Sequence, residues 1–251
     1  MKILVALKQV PDSETPIKVG ADGISLDLDE VKWTVDPCDE NALEEALRIK
    51  ETRGAEVVAV SVGGDRAVEL LRKALALGAD RAVLIRAAET GAPLVLAKVL
   101  AAYAQSEGFE LLLLGQIGIG GDHGAVAPML AERLGLPQVT AVTRLEWVGG
   151  GFRAERETEN GTESVEGTLP ALITAQRGLN VPRYPTLKGI IGARKKPLDE
   201  WKAPHVEPAT RICALATAPS RPGGRRLEGD APSQAAQLAR LLQDGIRALK
   251  P

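Results

Sequence analysis

The chain has 251 residues, 45% hydrophobic and 25% charged, with 31 Lys+Arg against 33 Asp+Glu and a formal charge of −2. That composition is ordinary for a globular protein and excludes general disorder, and the near-neutral balance argues against a whole-surface nucleic-acid binder. The longest apolar runs, such as residues 111–114, fall far short of the roughly 20 residues a membrane span needs, so no direct membrane insertion is expected.

Two cysteines, Cys38 and Cys213, and two histidines, His123 and His205, form neither a disulfide framework nor a metal cluster at any usual spacing. A reducing, cytoplasmic location is expected. The apolar stretch after Met1 is too short for a signal peptide. No catalytic His, Cys or metal constellation stands out.

Residues 2–7 are a short apolar run ended by Pro11, which predicts a buried strand. Residues 24–28 and 31–35 read as a short hairpin around Asp29-Glu30. Asp36 or Asp39 is placed to cap the next helix, with Pro37 in its first turn and Gly54 at its end. The pattern then repeats: strands at 57–62, 81–85 and 110–114 alternate with helices at 65–77, 92–106 and 122–134, each closed by a glycine. Apolar strands alternating with helices predict an α/β fold with a mostly parallel, doubly wound sheet covered on both faces. From residue 139 the grammar changes to alternating strands with turns at Gly149-Gly150-Gly151 and Asn160-Gly161, then an apolar strand at 171–175. This is an antiparallel meander attached to the parallel sheet. Residues 197–232 hold six of the 16 prolines and predict an extended C-terminal arm. The arm ends in an amphipathic helix over 233–249, with Ala235, Leu238, Leu241, Leu242, Ile246 and Leu249 on one face. The expected organisation is an α/β nucleotide-binding domain over 1–196 and, over 197–251, an arm and helix that grip a partner.

The run Gly115-Gln116-Ile117-Gly118-Ile119-Gly120-Gly121-Asp122-His123-Gly124 follows an apolar strand and opens a helix. Glycines let backbone N–H groups approach a phosphate, and a helix N-terminus carries partial positive charge. No Gly-Lys-Ser/Thr follows, so it is not a P-loop. A nucleotide site and a plain turn both fit this spacing. Asp122 reads as a helix cap rather than a phosphate contact, His123 as a solvated or capping side chain, and Cys38 as a small buried helix-start residue.

A second feature runs from Asn180 to Pro197. Two prolines, Pro182 and Pro185, fix its entry, and Leu187, Ile190 and Ile191 stand among basic residues. From 183 to 202 there are six Lys/Arg and two Asp/Glu, a local charge of +4. A solvated basic face fits this composition, and so does a loop that docks an acidic protein.

The segment over 181–197 resembles the signature of the β (small) subunit of electron transfer flavoproteins. Residues 2–10, 36–50, 74–81, 111–134 and Glu155-Arg156-Glu157 are similar to the same family, so the resemblance spans essentially the whole chain. It implies an adenine nucleotide α-hydrolase-like fold in an electron carrier, not an enzyme. It also implies a heterodimer with an α (large) subunit that holds most of the FAD, and a structural AMP in the small subunit. Electrons would arrive from flavin dehydrogenases such as acyl-CoA dehydrogenases and leave to a membrane quinone oxidoreductase. Carried over by position, the AMP site takes Ala6, then Asp36, Pro37, Cys38 and Asp39, then Val62, then the glycine loop from Gly115 through Ala125 and Val126. The partner-docking loop takes Thr186, Leu187, Ile190, Ile191, Arg194, Lys195 and Lys196, with Leu187 as its apolar anchor. The glycine loop matches the family's usual Lys-Gln-Ala-Ile-Asp-Asp-Asp only at Ile119 and Asp122. Pro128-Met129-Leu130-Ala131-Glu132 resembles bacterial branches, some of which bifurcate electrons, so a subunit with a second FAD in place of AMP is the nearest alternative, and a stand-alone nucleotide-binding signalling protein the more distant one.

Overall fold

The structure, a computed structural model, describes residues 1–87, 91–219 and 223–248. Strand β1 (Lys2–Ala6) opens the chain, and the short strands β2 (Gln9–Pro11), β3 (Lys18–Val19), β4 (Leu26–Asp27) and β5 (Trp33–Val35) follow before helix α1 (Pro37–Arg53). Then come β6 (Glu56–Val62), α2 (Ala67–Leu77), β7 (Arg81–Arg86), α3 (Pro93–Glu107), β8 (Leu111–Gly115) and α4 (Val126–Leu134). The remaining elements are β9 (Gln138–Val148), β10 (Gly151–Thr158), β11 (Gly161–Gly167), β12 (Ala171–Ala175), α5 (Leu187–Ala193), β13 (Leu198–Lys202) and α6 (Ala231–Ala248).

Nine strands form one sheet in the order β11-β10-β9-β12-β8-β1-β6-β7-β13. The strands from β12 to β13 pair in parallel, and β9, β10 and β11 pair antiparallel as the expected meander. Side chains alternate along β1, so Ile3 and Val5 face one layer and Leu4 the other. Ile3 and Val5 pack with Leu43, Leu47, Leu71 and Leu75 of α1 and α2. Leu4 packs with Val99 and Tyr103 of α3 and Leu130 of α4. The sheet is thus covered on both faces, which is why its central strands are apolar throughout.

Three local expectations change. Residues 24–28 and 31–35 do not pair with each other: β4 pairs with β3 and β5 with β2. The turn that wins is at Asp22-Gly23, where the Asp22 carboxylate accepts from the Ile24 and Ser25 amides and Gly23 takes a left-handed φ of 68°. The helix expected from residue 122 begins at Val126. The arm expected from residue 197 begins with β13, the edge of the main sheet beside β7. Its Trp201 packs edge-on to Tyr103 at 5.4 Å.

The chain divides into two units, Met1–Ala214 and Leu215–Pro251. In the second, the Asp230 carboxylate accepts from Ser233 N at 3.1 Å in the first turn of α6. Leu238, Leu241 and Leu242 recur along that helix at helical spacing. The side chain of Ile246 and all of Leu249 lie outside the described residues. No helix among the described residues is long and apolar enough to cross a membrane.

Candidate functional site

The chain runs from β1 outward through β6 to β7, then returns to place β8 on the other flank of β1. The order of a parallel sheet reverses there, and the crevice outside the carboxyl ends of such strands is where open α/β sheets bind ligands. Ala6, Val62 and Gly115 are the last residues of β1, β6 and β8. The structure therefore brings together the strand ends, the start of α1 and the glycine loop that the sequence singled out separately.

Two buried carboxylates stitch these segments. Asp36 caps α1 through Cys38 N at 3.0 Å, and its second oxygen accepts from Ile119 N at 2.7 Å. Asp39 accepts from Lys8 N at 2.6 Å and from Gly115 N at 2.8 Å. Burial pushes the Asp39 carboxyl up to about 7, the Asp36 charge adding to it against the two amide donors. The folded state therefore holds this proton more tightly than the unfolded one. The stabilisation is fully present below the ordinary value of 3.8 and is lost as the pH rises through about 7. Cys38 is buried, and burial followed by the Asp36 charge pushes its thiol up. It remains a protonated, unreactive packing residue.

The loop after β8 is fixed at its root and open at its tip. Gln116 donates its amide to Ala175 O at 2.9 Å. Its side-chain oxygen accepts from Ala141 N at 2.9 Å and from the Thr174 hydroxyl. The Gly118 carbonyl accepts from the Gly121 and Asp122 amides and closes a turn. Gly120, Asp122 and Gly124 all take left-handed φ values, of 86°, 46° and 55°. That run of non-helical backbone keeps Asp122 from capping α4, whose N-cap is Ala125, without a side-chain acceptor. The Val126 and Ala127 amides in the first turn of α4 thus have no side-chain cap, and the positive end of its dipole is a candidate place for an anion.

Lys8 escapes the sequence reading. Its ammonium donates to Ile119 O at 3.5 Å and lies over Gly118, where a Cβ would come within 2.8 Å of Nζ. The only hint in the sequence is a lysine two residues beyond the end of an apolar strand. An amide-rich loop, an uncapped helix and a cation fit the phosphate of a nucleotide. Asp36 and Asp39 turn their oxygens onto backbone amides.

The predicted docking segment is tied to α1. Asn41 and Asn180 exchange side-chain hydrogen bonds, Nδ2 of Asn41 donating to Asn180 O at 2.9 Å and Nδ2 of Asn180 to Asn41 O at 3.0 Å. Arg183 donates to Glu44 from Nε at 2.8 Å and Nη2 at 3.0 Å, and it also pairs with Glu51. Glu44 is only 5% exposed. Burial raises its carboxyl, but the Arg183 hydrogen bonds outweigh that and hold it below the usual range. Arg183→Met should cost about 1–3 kcal/mol, less than a fully buried pair because Arg183 is partly exposed and Arg48 still donates to Glu44. The pair contributes above the ordinary 4.5 of Glu44 and fades as the pH falls through the lowered folded value. Urea midpoints of the two proteins should thus differ most near neutral pH and converge in acid.

Beyond Pro185, residues 187–193 are helical, not a loop. Thr186 caps α5 by accepting from Gly189 N at 3.1 Å. Leu187 is 74% exposed, and Ile190 and Ile191 are also exposed, beside exposed Lys188, Arg194 and Lys195. Lys196 departs from its expected place among the free charges. Its ammonium donates to Leu75 O at 3.1 Å and Ala79 O at 2.6 Å, at the C-terminal end of α2. Arg183, likewise, is engaged within the fold.

Two cavities lie away from the ends of β1, β6 and β8. One of about 590 Å³ opens between β5, α2 and α5, and one of about 550 Å³ lies beside β13 and α3. Both are lined mainly by apolar side chains and neither includes the glycine loop, whose backbone donors suit an anion better. No group of three or more His, Cys, Asp or Glu among the described residues is arranged to hold a metal ion.

A family model described as Electron transfer flavoprotein domain matches residues 25–206. The protein named electron transfer flavoprotein subunit beta in Bacillus subtilis is 38% identical over 259 positions, covering 99% of this chain and 100% of the relative. Its namesake in Bradyrhizobium diazoefficiens is 40% identical over 229 positions, covering 90% of this chain and 91% of the relative. The one in Syntrophomonas wolfei is 34% identical over 248 positions, covering 98% of each. The family match and these relatives show that the chain belongs to the electron transfer flavoprotein family, among its β (small) subunits.

Proposed function

We propose that this chain is the non-catalytic subunit of a heterodimeric electron carrier, assembled with an α (large) subunit and binding a structural AMP at the ends of β1, β6 and β8. The observation that carries the AMP assignment is the convergence of the glycine loop, the uncapped α4 and Lys8 on one crevice, held by Asp36 and Asp39. FAD, held mainly by the large subunit, supplies the redox chemistry. This chain's part is to enclose it and to present the Leu187 surface to flavin dehydrogenases, acyl-CoA dehydrogenases among them. A membrane quinone oxidoreductase then accepts the electrons. The ionisable groups at the strand ends fit such a role: the carboxylates are occupied by amides and Cys38 stays protonated, so the site is scaffold and not catalyst.

Co-expression with the large subunit tests this. The complex should purify yellow, and denaturation should release AMP with the FAD. A colourless monomer that hydrolyses ATP would contradict the proposal, and an extract with two FAD and no AMP would replace AMP with the electron-bifurcating alternative.

The C-terminal unit is proposed to grip the large subunit. Truncation after Lys196 would remove β13 and its Trp201 from the sheet, so the informative cut is after Ala214. The shortened chain should keep its α/β fold and lose the large subunit on gel filtration, because ordering a long arm is favourable only when it buries a large surface. An intact heterodimer after that cut would refute the gripping role.

A further inference from the structure

We propose that Arg72 and Lys196 are positioning residues that lock α5 onto α2 and hold the Leu187 patch in the pose a dehydrogenase meets. The proposal rests on reading that patch as the docking surface. Helix α5 has seven residues, two of them glycine. So short a helix is unstable by itself, and its last carbonyls have no partners within it.

Each helix end takes a cation from outside the helix, which at α5 adds to the backbone bonds from Lys195 N to Gly192 O at 3.0 Å and from Lys196 N to Ala193 O at 3.3 Å. Arg72 of α2 donates from Nη1 to Ala193 O at 2.8 Å and Lys196 O at 3.0 Å, closing the end of α5. Lys196, just past α5, donates in return to Leu75 O and Ala79 O at the end of α2. Between these clamps Gly189 lies flush on α2, and a Cβ there would overlap the Ala76 carbonyl oxygen. Ala193 is buried while Leu187 and Ile191 point to solvent, 74% and 58% exposed. The clamp's hydrogen bonds go to main-chain carbonyls and to none of the outward apolar groups, so it acts on their placement. Ordering a docking element before encounter removes that cost from binding. The division of labour among the basic residues also follows: Arg72 and Lys196 hold main-chain carbonyls, and Lys188, Arg194 and Lys195 remain exposed to steer a partner.

The test uses the intact flavin-loaded heterodimer with an acyl-CoA dehydrogenase as electron donor. Arg72→Met removes the donors and keeps most of the stem. Amide exchange across residues 188–196 should accelerate about tenfold or more. The KM for the heterodimer as electron acceptor should rise about five- to tenfold. The kcat, flavin spectrum and salt dependence should stay at wild type. Arg72→Lys, which restores a donor, should recover much of the exchange protection. Unchanged exchange or unchanged KM in Arg72→Met, where Leu187→Ala does raise KM, overturns the proposal. If Leu187→Ala leaves KM unchanged, the docking reading fails and the functional half of the proposal falls with it, while exchange still reports the clamp separately. Should Arg72→Met fail to assemble, Gly189→Ala decides, because it pushes α5 off α2 with both cations in place. It must then show the same exchange and KM signature, and a wild-type KM from a loosened α5 overturns the proposal.

Discussion

Gly115→Val is expected to empty the nucleotide site and weaken the heterodimer more than any other single change at the strand ends. A Cβ on Gly115 would lie 2.5 Å from Asp39 Oδ1 and 2.9 Å from both Asp39 N and Cys38 Cβ. The obstacles are a helix backbone and a buried carboxylate, so they cannot swing aside. The clash costs about 1–3 kcal/mol as overpacking, and loss of the Gly115–Asp39 hydrogen bond leaves the buried Asp39 Oδ1 unpaired for about 1–3 kcal/mol more. The same substitution at Gly121 should be milder, because a Cβ there meets the exposed His123 ring at 3.1 Å and the ring can move. Urea midpoints and nucleotide released on denaturation check both variants. A Gly115→Val complex with wild-type midpoint and full nucleotide content would refute the strand-end assignment.

Leu187→Ala is expected to leave stability, flavin and nucleotide untouched and to slow electron delivery from the dehydrogenase. An anchor 74% exposed in the free protein contributes little to the fold. Burying it in a partner's pocket is worth about 1.5–3 kcal/mol, or roughly ten- to a hundredfold in affinity. Reversing Lys195 to Glu should act on the association rate instead, and raised salt should reproduce that effect in the wild type. Lys196→Glu should behave differently from both and destabilise the fold, since its ammonium caps α2. Stopped-flow traces at limiting concentrations separate these cases. A wild-type rate from Leu187→Ala would remove this surface from the route.

The alternation of strands and helices was legible because the central strands are apolar on both faces and each helix between them ends at a glycine. The meander was legible from Asn160-Gly161 and the period-2 pattern. Strand β13 was not. It reads Leu-Asp-Glu-Trp-Lys, and its Asp199 and Glu200 pair with Arg81 and Arg86 across and beside the neighbouring strand. Edge strands carry such charge to discourage pairing with other chains, which makes them look like loops. Helix α5 was hidden by Gly189 and Gly192, since it persists through tertiary clamps and not through propensity. At the strand ends, the alternation of strands and helices is enough to bring Ala6, Val62 and Gly115 to the carboxyl edge of one parallel sheet. The roles of Asp36 and Asp39 as clips, and of Lys8 as the local cation, depend on contacts between residues 31 to 111 positions apart. No local pattern encodes those.

The most direct test of the electron-carrier account is an anaerobic titration of the purified heterodimer with an acyl-CoA dehydrogenase and its substrate, followed by visible absorbance. The account predicts that the heterodimer's flavin bleaches only when both are present, at a rate lowered by Leu187→Ala, and that a quinone oxidoreductase restores its colour. A flavin that stays oxidised through the titration while AMP, FAD and subunit content are complete would contradict it.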